Sequence, residues 1–480
     1  MNVLLTFRIL GAMLLFLSAA ILVPVPFSLY FADGAAVAFG LSSLVTLASG
    51  LAMFVGCRSE KELSVREGFA VVTFGWIFYT LFGALPYLFS GAIANPVDAC
   101  FETMSGFTTT GATILTAIEG LPESVLLWRS LTQWLGGMGI IVMSLAILPM
   151  LGVGGMQLFK AEVPGPTADR LKPRIQDTAK LLWGVYVLLT SVQTGLLMLG
   201  GMNFFEALSH SFSTLSSGGF STRNASVAAY DSAYIDWVIT FFMFLAGVNF
   251  ALHFQALRGK LRELHRNEEF LFYLALTLGV TAILVFLNHG SVYTSLVDNL
   301  RYSAFQTTSI LTTTGFGTAD YETWSVLAQY LLLFLMFVGG CAGSTGGGMK
   351  VARILLLFKH AMVGLYRLIH PRAIRLVKLS GHPVDRDVMQ AILGFFALYM
   401  GLFVFASFLM AATGMDVVSA GASVVATLGN IGPGIGSVGP VDNYAHIVPF
   451  GKLVLTACML LGRLEIFTVL VLLFPSFWRK

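Results

Sequence analysis

Apolar residues run along this chain in long, nearly uncharged windows, near 9–32, 34–57, 68–97, 130–159, 181–205, 237–257, 270–297, 323–349, 388–415 and 453–462. A run of roughly 20 such residues crosses the ~30 Å hydrocarbon layer of a bilayer as a helix. About ten spanning helices follow from the windows, and the fold class they predict is an all-α polytopic membrane protein. The first window opens like a signal peptide, with Arg8 ahead of an apolar run and Ser18-Ala19-Ala20 where cleavage would occur. That run continues to Tyr30, beyond the length of a signal-peptide core, so it reads as a retained helix.

The stretches between windows repeat. Four times an apolar helix is followed by a short segment, a turn rich in Thr, Ser or Gly, and a further apolar helix. The turns are Thr108-Thr109-Thr110-Gly111-Ala112-Thr113, Ser216-Ser217-Gly218-Gly219-Phe220-Ser221, Thr312-Thr313-Thr314-Gly315-Phe316-Gly317 and Gly429-Asn430-Ile431-Gly432-Pro433-Gly434, with central glycines 108, 96 and 117 residues apart. The segments ahead of them, 98–108, 206–216, 299–312 and 417–428, are too brief to span and suit half-depth pore helices. Asp98, Glu206, Asp298 and Asp416 lie at or just before their starts, where a carboxylate accepts free N–H groups and favours the positive dipole end. The chain accordingly divides into two extra N-terminal transmembrane helices (1–66) and four pseudo-repeated helix–pore loop–helix units (67–160, 161–262, 263–365 and 366–480) around one pore.

Composition excludes the soluble classes, since 56% of the 480 residues are hydrophobic and 11% are charged. Lys and Arg gather at 58–66, 160–180, 258–266, 350–386 and 479–480, which with Arg8 hold 23 of the 28 basic residues and assign those segments and both termini to the cytoplasm. The opposite loops carry Asp33, Asp98, Glu102, Glu119, Glu123, Asp231, Asp236, Asp298, Asp320, Glu322, Asp416 and Asp442 against few cations, Arg223 and Arg301 being the clearest. An acidic mouth concentrates cations, although for most of these residues a solvated loop charge explains the pattern as well. Cys57, Cys100, Cys341 and Cys458 are scattered without metal or disulfide spacing. His253, His265, His360 and His370 show no ligand spacing either, and they receive no function.

A pore helix entering from outside ends at mid-membrane with its partly negative C-terminus, and the turn after it can aim bare carbonyls at a cation. Non-helical backbone at that depth is tolerated only where it lines a cavity, and glycine permits the angles required. The third turn resembles the TVGYG potassium filter. The others depart from it: Ala112, Phe220 and Pro433 take the aromatic position and Thr113 and Ser221 replace the last glycine, leaving the central glycine common to all four. One or two well-formed ion sites, with poorer discrimination than a symmetric channel, are expected. Simple glycine-rich exoplasmic loops are the bland alternative.

With these turns, Gln133-Trp134-Leu135-Gly136-Gly137-Met138-Gly139-Ile140, Gly343-Ser344-Thr345-Gly346-Gly347-Gly348-Met349-Lys350 and Leu461-Gly462-Arg463-Leu464-Glu465, the chain resembles the TrkH/TrkG/KtrB superfamily of potassium transporters over nearly its whole length. The two extra N-terminal spans make it more similar to the TrkH branch. The resemblance implies bacterial inner-membrane potassium uptake by a homodimer with one pore per subunit, surrounded by membrane lipid. It also implies a cytosolic TrkA-type regulatory ring, with NAD or ATP on that partner only and no cofactor in this chain. Carried over position by position, the potassium-coordinating carbonyls belong to Thr110, Gly111, Gly218, Gly219, Thr314, Gly315, Ile431 and Gly432, potassium being the only metal expected.

Six of the ten residues from Gly339 to Gly348 are glycine, which breaks the helix after the third turn. In the family the matching segment is an intramembrane gate, here residues 339–349 with Gly343, Ser344, Thr345, Gly346, Gly347, Gly348 and, at its end, Lys350. Close helix packing through small residues is the alternative. A nucleotide-binding P-loop is excluded, because the string lacks Gly-Lys-Ser/Thr. Arg463 sits within an apolar helix, where an ionisable side chain is costly and functional by default. It is expected to face the pore as a barrier to cations, as the resemblance also implies, the alternatives being a buried pair with Glu465 or snorkelling. The stretch from Arg367 to Arg386 carries the orientation signal and could also dock the regulator.

The rival function is a coupled secondary transporter that binds solute with Na⁺ or H⁺ between discontinuous helices. Repeats sharing one orientation, and spans without an obvious carboxylate relay, weigh against it. An enzyme is not expected, because no His/Asp/Cys constellation recurs, and nothing points to nucleic acid.

Overall fold

The structure is a computed structural model describing residues 2–57, 64–150 and 175–479. The basic cluster at 160–180 and the expected end of the first unit at 160 therefore lie largely or wholly outside the described residues, as does most of the cluster at 58–66.

Two apolar helices, α1 (Val3–Ile21) and α2 (Ala36–Gly56), form an N-terminal hairpin. Gly11 and Gly50 let their backbones meet, a Cβ on Gly11 falling 2.8 Å from the Gly50 carbonyl oxygen. Between apolar helices in lipid, such small-residue contacts are what brings backbones together. Four units follow. The first is α3 (Val65–Gly83), α4 (Pro96–Phe107) and α5 (Glu123–Met150); the second is α6 (Ile175–Leu199), α7 (Phe204–Leu215), α8 (Ala233–Ala246) and α9 (Phe250–Leu257). The third is α10 (Glu268–Asn288), α11 (Leu296–Leu311), α12 (Val326–Val338) and α13 (Val351–Ile369). The fourth is α14 (Arg386–Ala412), α15 (Val417–Leu428), α16 (Pro449–Arg463) and α17 (Phe467–Leu470).

In each unit a short pore helix (α4, α7, α11, α15) lies between the spanning helices. Six described helices are individually long and apolar enough to span. The windows at 237–257 and 453–462 resolve into bent pairs instead, α8 to α9 turning by 104° and the α16 pair by 110°. The window at 323–349 is interrupted by residues 339–349, between α12 and α13. Three of the four second helices are thus broken, and the breaks meet one another: Cys341 donates to the Gly247 carbonyl at 2.8 Å and Arg463 to the Thr345 carbonyl at 2.7 Å.

The expected caps need correction. α4, α7 and α11 begin at Pro96, Phe204 and Leu296, two or three residues ahead of the expected starts, and their N-caps are Asn95, Asn203 and Ser295. Only Asp416 caps directly, accepting from the amides of Val418 and Ser419. Asp98, Glu206 and Asp298 stand in the first turn, where the dipole still favours them. Their carboxylates instead meet Lys452 at 2.6 Å, Arg223 at 2.6 Å and Arg301 at 3.7 Å.

Candidate functional site

Every pore helix ends in the same local geometry. The amides of Thr110, Gly218, Thr314 and Ile431 each donate, at 2.8 Å, to the carbonyl five residues back, on Ser105, Ser213, Ser309 and Ala426. The residue before each of these is left-handed (Thr109, Ser217, Thr313 and Asn430), and so is the glycine after it, Gly111, Gly219, Gly315 or Gly432. The helix is thereby stopped, with the negative end of its dipole at the turn.

The four turns close a ring. A Cβ on Gly111 would lie 2.2 Å from the Gly218 carbonyl oxygen, one on Gly219 2.0 Å from that of Thr314, one on Gly315 1.9 Å from that of Ile431, and one on Gly432 2.7 Å from that of Thr110. First meets second, second third, third fourth, and fourth first. No side chain fits at the central position, so the central glycine is common to turns that share little else. The turns themselves are buried, while Gly111, Gly219 and Gly315 keep some exposure.

Behind the ring the turns are held differently. Thr108 and Thr110 share a hydroxyl contact of 2.8 Å, and Thr312 and Thr314 repeat it. Gln133 donates to the Gly218 carbonyl at 2.7 Å and accepts from the Phe220 amide at 3.0 Å. The Tyr444 hydroxyl donates to the Gly432 carbonyl at 2.6 Å, and that of Tyr321 to Gly434. His210 places Nε2 3.0 Å from the Ser221 hydroxyl. Two of the eight expected ligand carbonyls, Gly218 and Gly432, therefore already accept a side-chain proton, leaving one lone pair each. The supporting residues Gln133, Tyr444, Tyr321 and His210 were not singled out from sequence, and only Gln133 fell within a quoted motif.

Residues 339–349 pack against the turns of the ring. The Gly347 amide donates to the Thr313 hydroxyl at 2.8 Å. Thr345 donates to the Leu215 and Ala246 carbonyls at 2.9 and 3.2 Å and accepts from Ser217 at 3.1 Å. A Cβ on Gly347 would meet the Gly429 carbonyl at 2.4 Å, so close packing and an unwound loop coexist here. Ser344 bonds inside the loop, to the Cys341 carbonyl, and the Gly343 carbonyl accepts from Phe250. Gly346 donates to the Ser344 hydroxyl, and Gly348, left-handed like Gly343, lies against Gly339. The loop thus touches the second, third and fourth turns.

Arg463, 4% exposed, donates to the Thr345 carbonyl at 2.7 Å and the Gly136 carbonyl at 3.2 Å. Its Nε has no partner among the described residues. The alternative pairing with Glu465 does not occur: Glu465 meets Lys350 at 3.2 Å and Arg353 at closer range. Snorkelling is excluded by burial. Arg463 ties the loop to α5 while leaving a cationic edge unneutralised in the interior.

Two acids assigned to the mouth are inside the protein. Glu102 is fully buried against Arg129, and Asp236 is buried with Arg301 at 3.5 Å. Both acids lie on helices, Glu102 on α4 and Asp236 on α8, and each is met there by an arginine from another helix. A signal for this existed: Arg8 aside, the basic residues outside the five basic clusters are Arg129, Arg223, Arg301, Lys452 and Arg463, and all five prove to be bonded in the four units.

A family model described as TrkH, cation transport protein, matches residues 37–480. The Trk system potassium uptake protein TrkH of Halomonas elongata is 45% identical over 480 residues, covering 98% of either chain. That of Salmonella typhimurium is 46% identical over 479 residues, covering 98% of this chain and 99% of its own. Trk system potassium uptake protein TrkG of Escherichia coli is 34% identical over 468 residues, covering 96% of each. The crystal structure of the potassium transporter TrkH from Vibrio parahaemolyticus covers 100% of both chains at a TM-score of 0.91 and 40% identity.

Proposed function

The chain belongs to the TrkH family of cation transport proteins, a transport family rather than a family of enzymes, and from that premise we propose that it takes up potassium across a bacterial inner membrane through the four-turn ring. The observation that carries the reading is the closed circuit of glycine against carbonyl, one contact per pair of neighbouring turns. A ring of backbone oxygens backed by four helix C-termini replaces the hydration shell of a potassium ion without a fixed negative charge to trap it. Thr110, Gly111, Gly218, Gly219, Thr314, Gly315, Ile431 and Gly432 supply those oxygens. The side-chain bonds on Gly218 and Gly432 make the sites unequal, which fits a filter with fewer good positions than a symmetric channel.

Residues 339–349 act as the gate in this reading, and Arg463 as both latch and electrostatic barrier. What supports this is that opening the path below the ring requires Thr345 and Gly347 to leave their partners, and that the arginine holding Thr345 also places a cation there. The working unit is a homodimer in the inner membrane, both termini cytoplasmic. A TrkA-type ring docks beside α13, and nucleotide binds that partner only. The Trk system names of the relatives support a partner subunit.

The test is ⁸⁶Rb⁺ uptake into proteoliposomes holding the purified chain, with K⁺, Na⁺ and Li⁺ as competitors and Gly315→Ser as the altered filter. Competition by K⁺ far ahead of Li⁺, altered by the substitution, is the expected result. Uptake that requires a proton or sodium gradient would replace the pore with a coupled carrier, and flux indifferent to Gly315 would remove the ring from the pathway.

A further inference from the structure

The third turn ends in Gly317, whereas the first and second end in Thr113 and Ser221, and both of these reach one buried cation. Arg129 on α5 and Glu102 on α4, 1% and 0% exposed, pair at 2.9 Å. The remaining nitrogens of Arg129 serve the turns: Nη1 donates to the Ser221 carbonyl at 3.1 Å and Nη2 to the Thr113 hydroxyl at 3.3 Å. The guanidinium also lies 4.2 Å from the centre of the Phe220 ring. Glu102 accepts from the Thr113 hydroxyl at 2.9 Å and from the Ile114 amide at 3.0 Å. One ion pair therefore holds the first turn by side chain and backbone, and the second by carbonyl and ring.

Among the described residues no ion pair reaches the other two turns, which are braced by neutral hydroxyls from Ser309, Tyr321 and Tyr444. A buried pair is costly to desolvate and repays that cost in geometry only when every donor finds an acceptor. Here three guanidinium nitrogens do, in the planar fork that lysine lacks. The departures of Thr113 and Ser221 from the glycine of the third turn stand where Arg129 finds its bonds, the Thr113 hydroxyl among them.

We propose that Arg129 and Glu102 are the positioning pair that sets the separation of the first and second turns, and through it the preference for K⁺ over Na⁺ in that half of the ring. This rests on the potassium reading above. A filter distinguishes the two ions by holding its oxygens at the larger ion's distance against collapse onto the smaller. The pair supplies that resistance on a side where the sequence has abandoned the filter motif.

The test uses the purified full chain in proteoliposomes and reads the ratio of Na⁺ to K⁺ concentrations that halve ⁸⁶Rb⁺ uptake. That ratio does not depend on how much protein is active, so destabilisation alone leaves it unmoved. Arg129→Lys keeps the charge and loses the fork, and the ratio is expected to fall about tenfold, the scale of one charged hydrogen bond. Thr113→Val is expected to fall likewise and Thr113→Ser to recover. The Thr113 pair decides the matter where Arg129→Lys does not fold. An unchanged ratio in Thr113→Val, or in folded Arg129→Lys, overturns the proposal, as does a Thr113→Ser no better than valine. Wild-type protein without any K⁺ preference would sink the potassium reading itself.

Discussion

Gly315 is constrained twice, by a left-handed φ of 80° and by a carbonyl 1.9 Å from where its Cβ would be. The first constraint alone costs an L-residue roughly 1–2 kcal/mol, and the second forces the Ile431 carbonyl out of the ring. Gly315→Ala is therefore expected to abolish ⁸⁶Rb⁺ uptake. Gly317→Ala, with nothing within 4 Å of the added methyl, is expected to retain measurable uptake, and equal loss in both would refute the ring argument. At Arg463 the expected sign is opposite. Arg463→Gln removes the interior cation and the charged bonds to Thr345 and Gly136. A charged hydrogen bond is worth about 1.5–3 kcal/mol, so uptake by the chain alone should rise about tenfold or more. Unchanged or lower uptake from folded protein would leave Arg463 a packing residue.

Among the elements, pore helices and the broken loop make separable predictions. Thr345→Val deletes one hydroxyl proton shared between the Leu215 and Ala246 carbonyls and one bond accepted from Ser217, each worth about 1 kcal/mol. Uptake should rise about fivefold per bond released, with ion competition unchanged, because none of the eight proposed ligand carbonyls loses a partner. A change in competition would mean that the loop shapes the filter. At α15, bonds from the Ser419 hydroxyl and amide hold the Asp416 carboxyl below the usual carboxylate range. A carboxyl held low contributes stability that is present at neutral pH and lost as pH falls through its folded value. Asp416→Ala is expected to cost about 1 kcal/mol in detergent melts, and Asp416→Asn to retain the cap while losing the acid dependence. Equal melting of both variants at neutral pH would count against the cap. The turns and pore-helix segments were legible because glycine at left-handed backbone and short apolar length leave local marks. The cap positions were not, since Asn95, Asn203 and Ser295 compete with nearby acids that look equally apt. The bends after α8 and α16 were also missed, because apolar composition does not distinguish a straight helix from one broken at Gly247 or Glu465.

On the scale of the molecule, periodicity made the four short helices and their turns readable, but no window could reveal which loop neighbours which. That order comes from the ring contacts, and the inward burial of Glu102 and Asp236 comes from cations that lie distant in sequence. The orientation also decides what the loop at 339–349 can do. It leads into α13, and α13 leads into the basic stretch through Arg386, so the loop lies on the cytoplasmic side of the ring only if that stretch is cytoplasmic. With Cys57 and Cys100 replaced and the buried Cys341 and Cys458 kept, a cysteine introduced at exposed Asp442 or at exposed Arg372 separates the two faces. A membrane-impermeant maleimide is expected to label Asp442→Cys in intact spheroplasts and Arg372→Cys only after permeabilisation. The reverse pattern would put the loop and Arg463 outside the ring, where no cytosolic partner could release them, and a gate operated from the cytoplasm would have to be abandoned even if the filter stood.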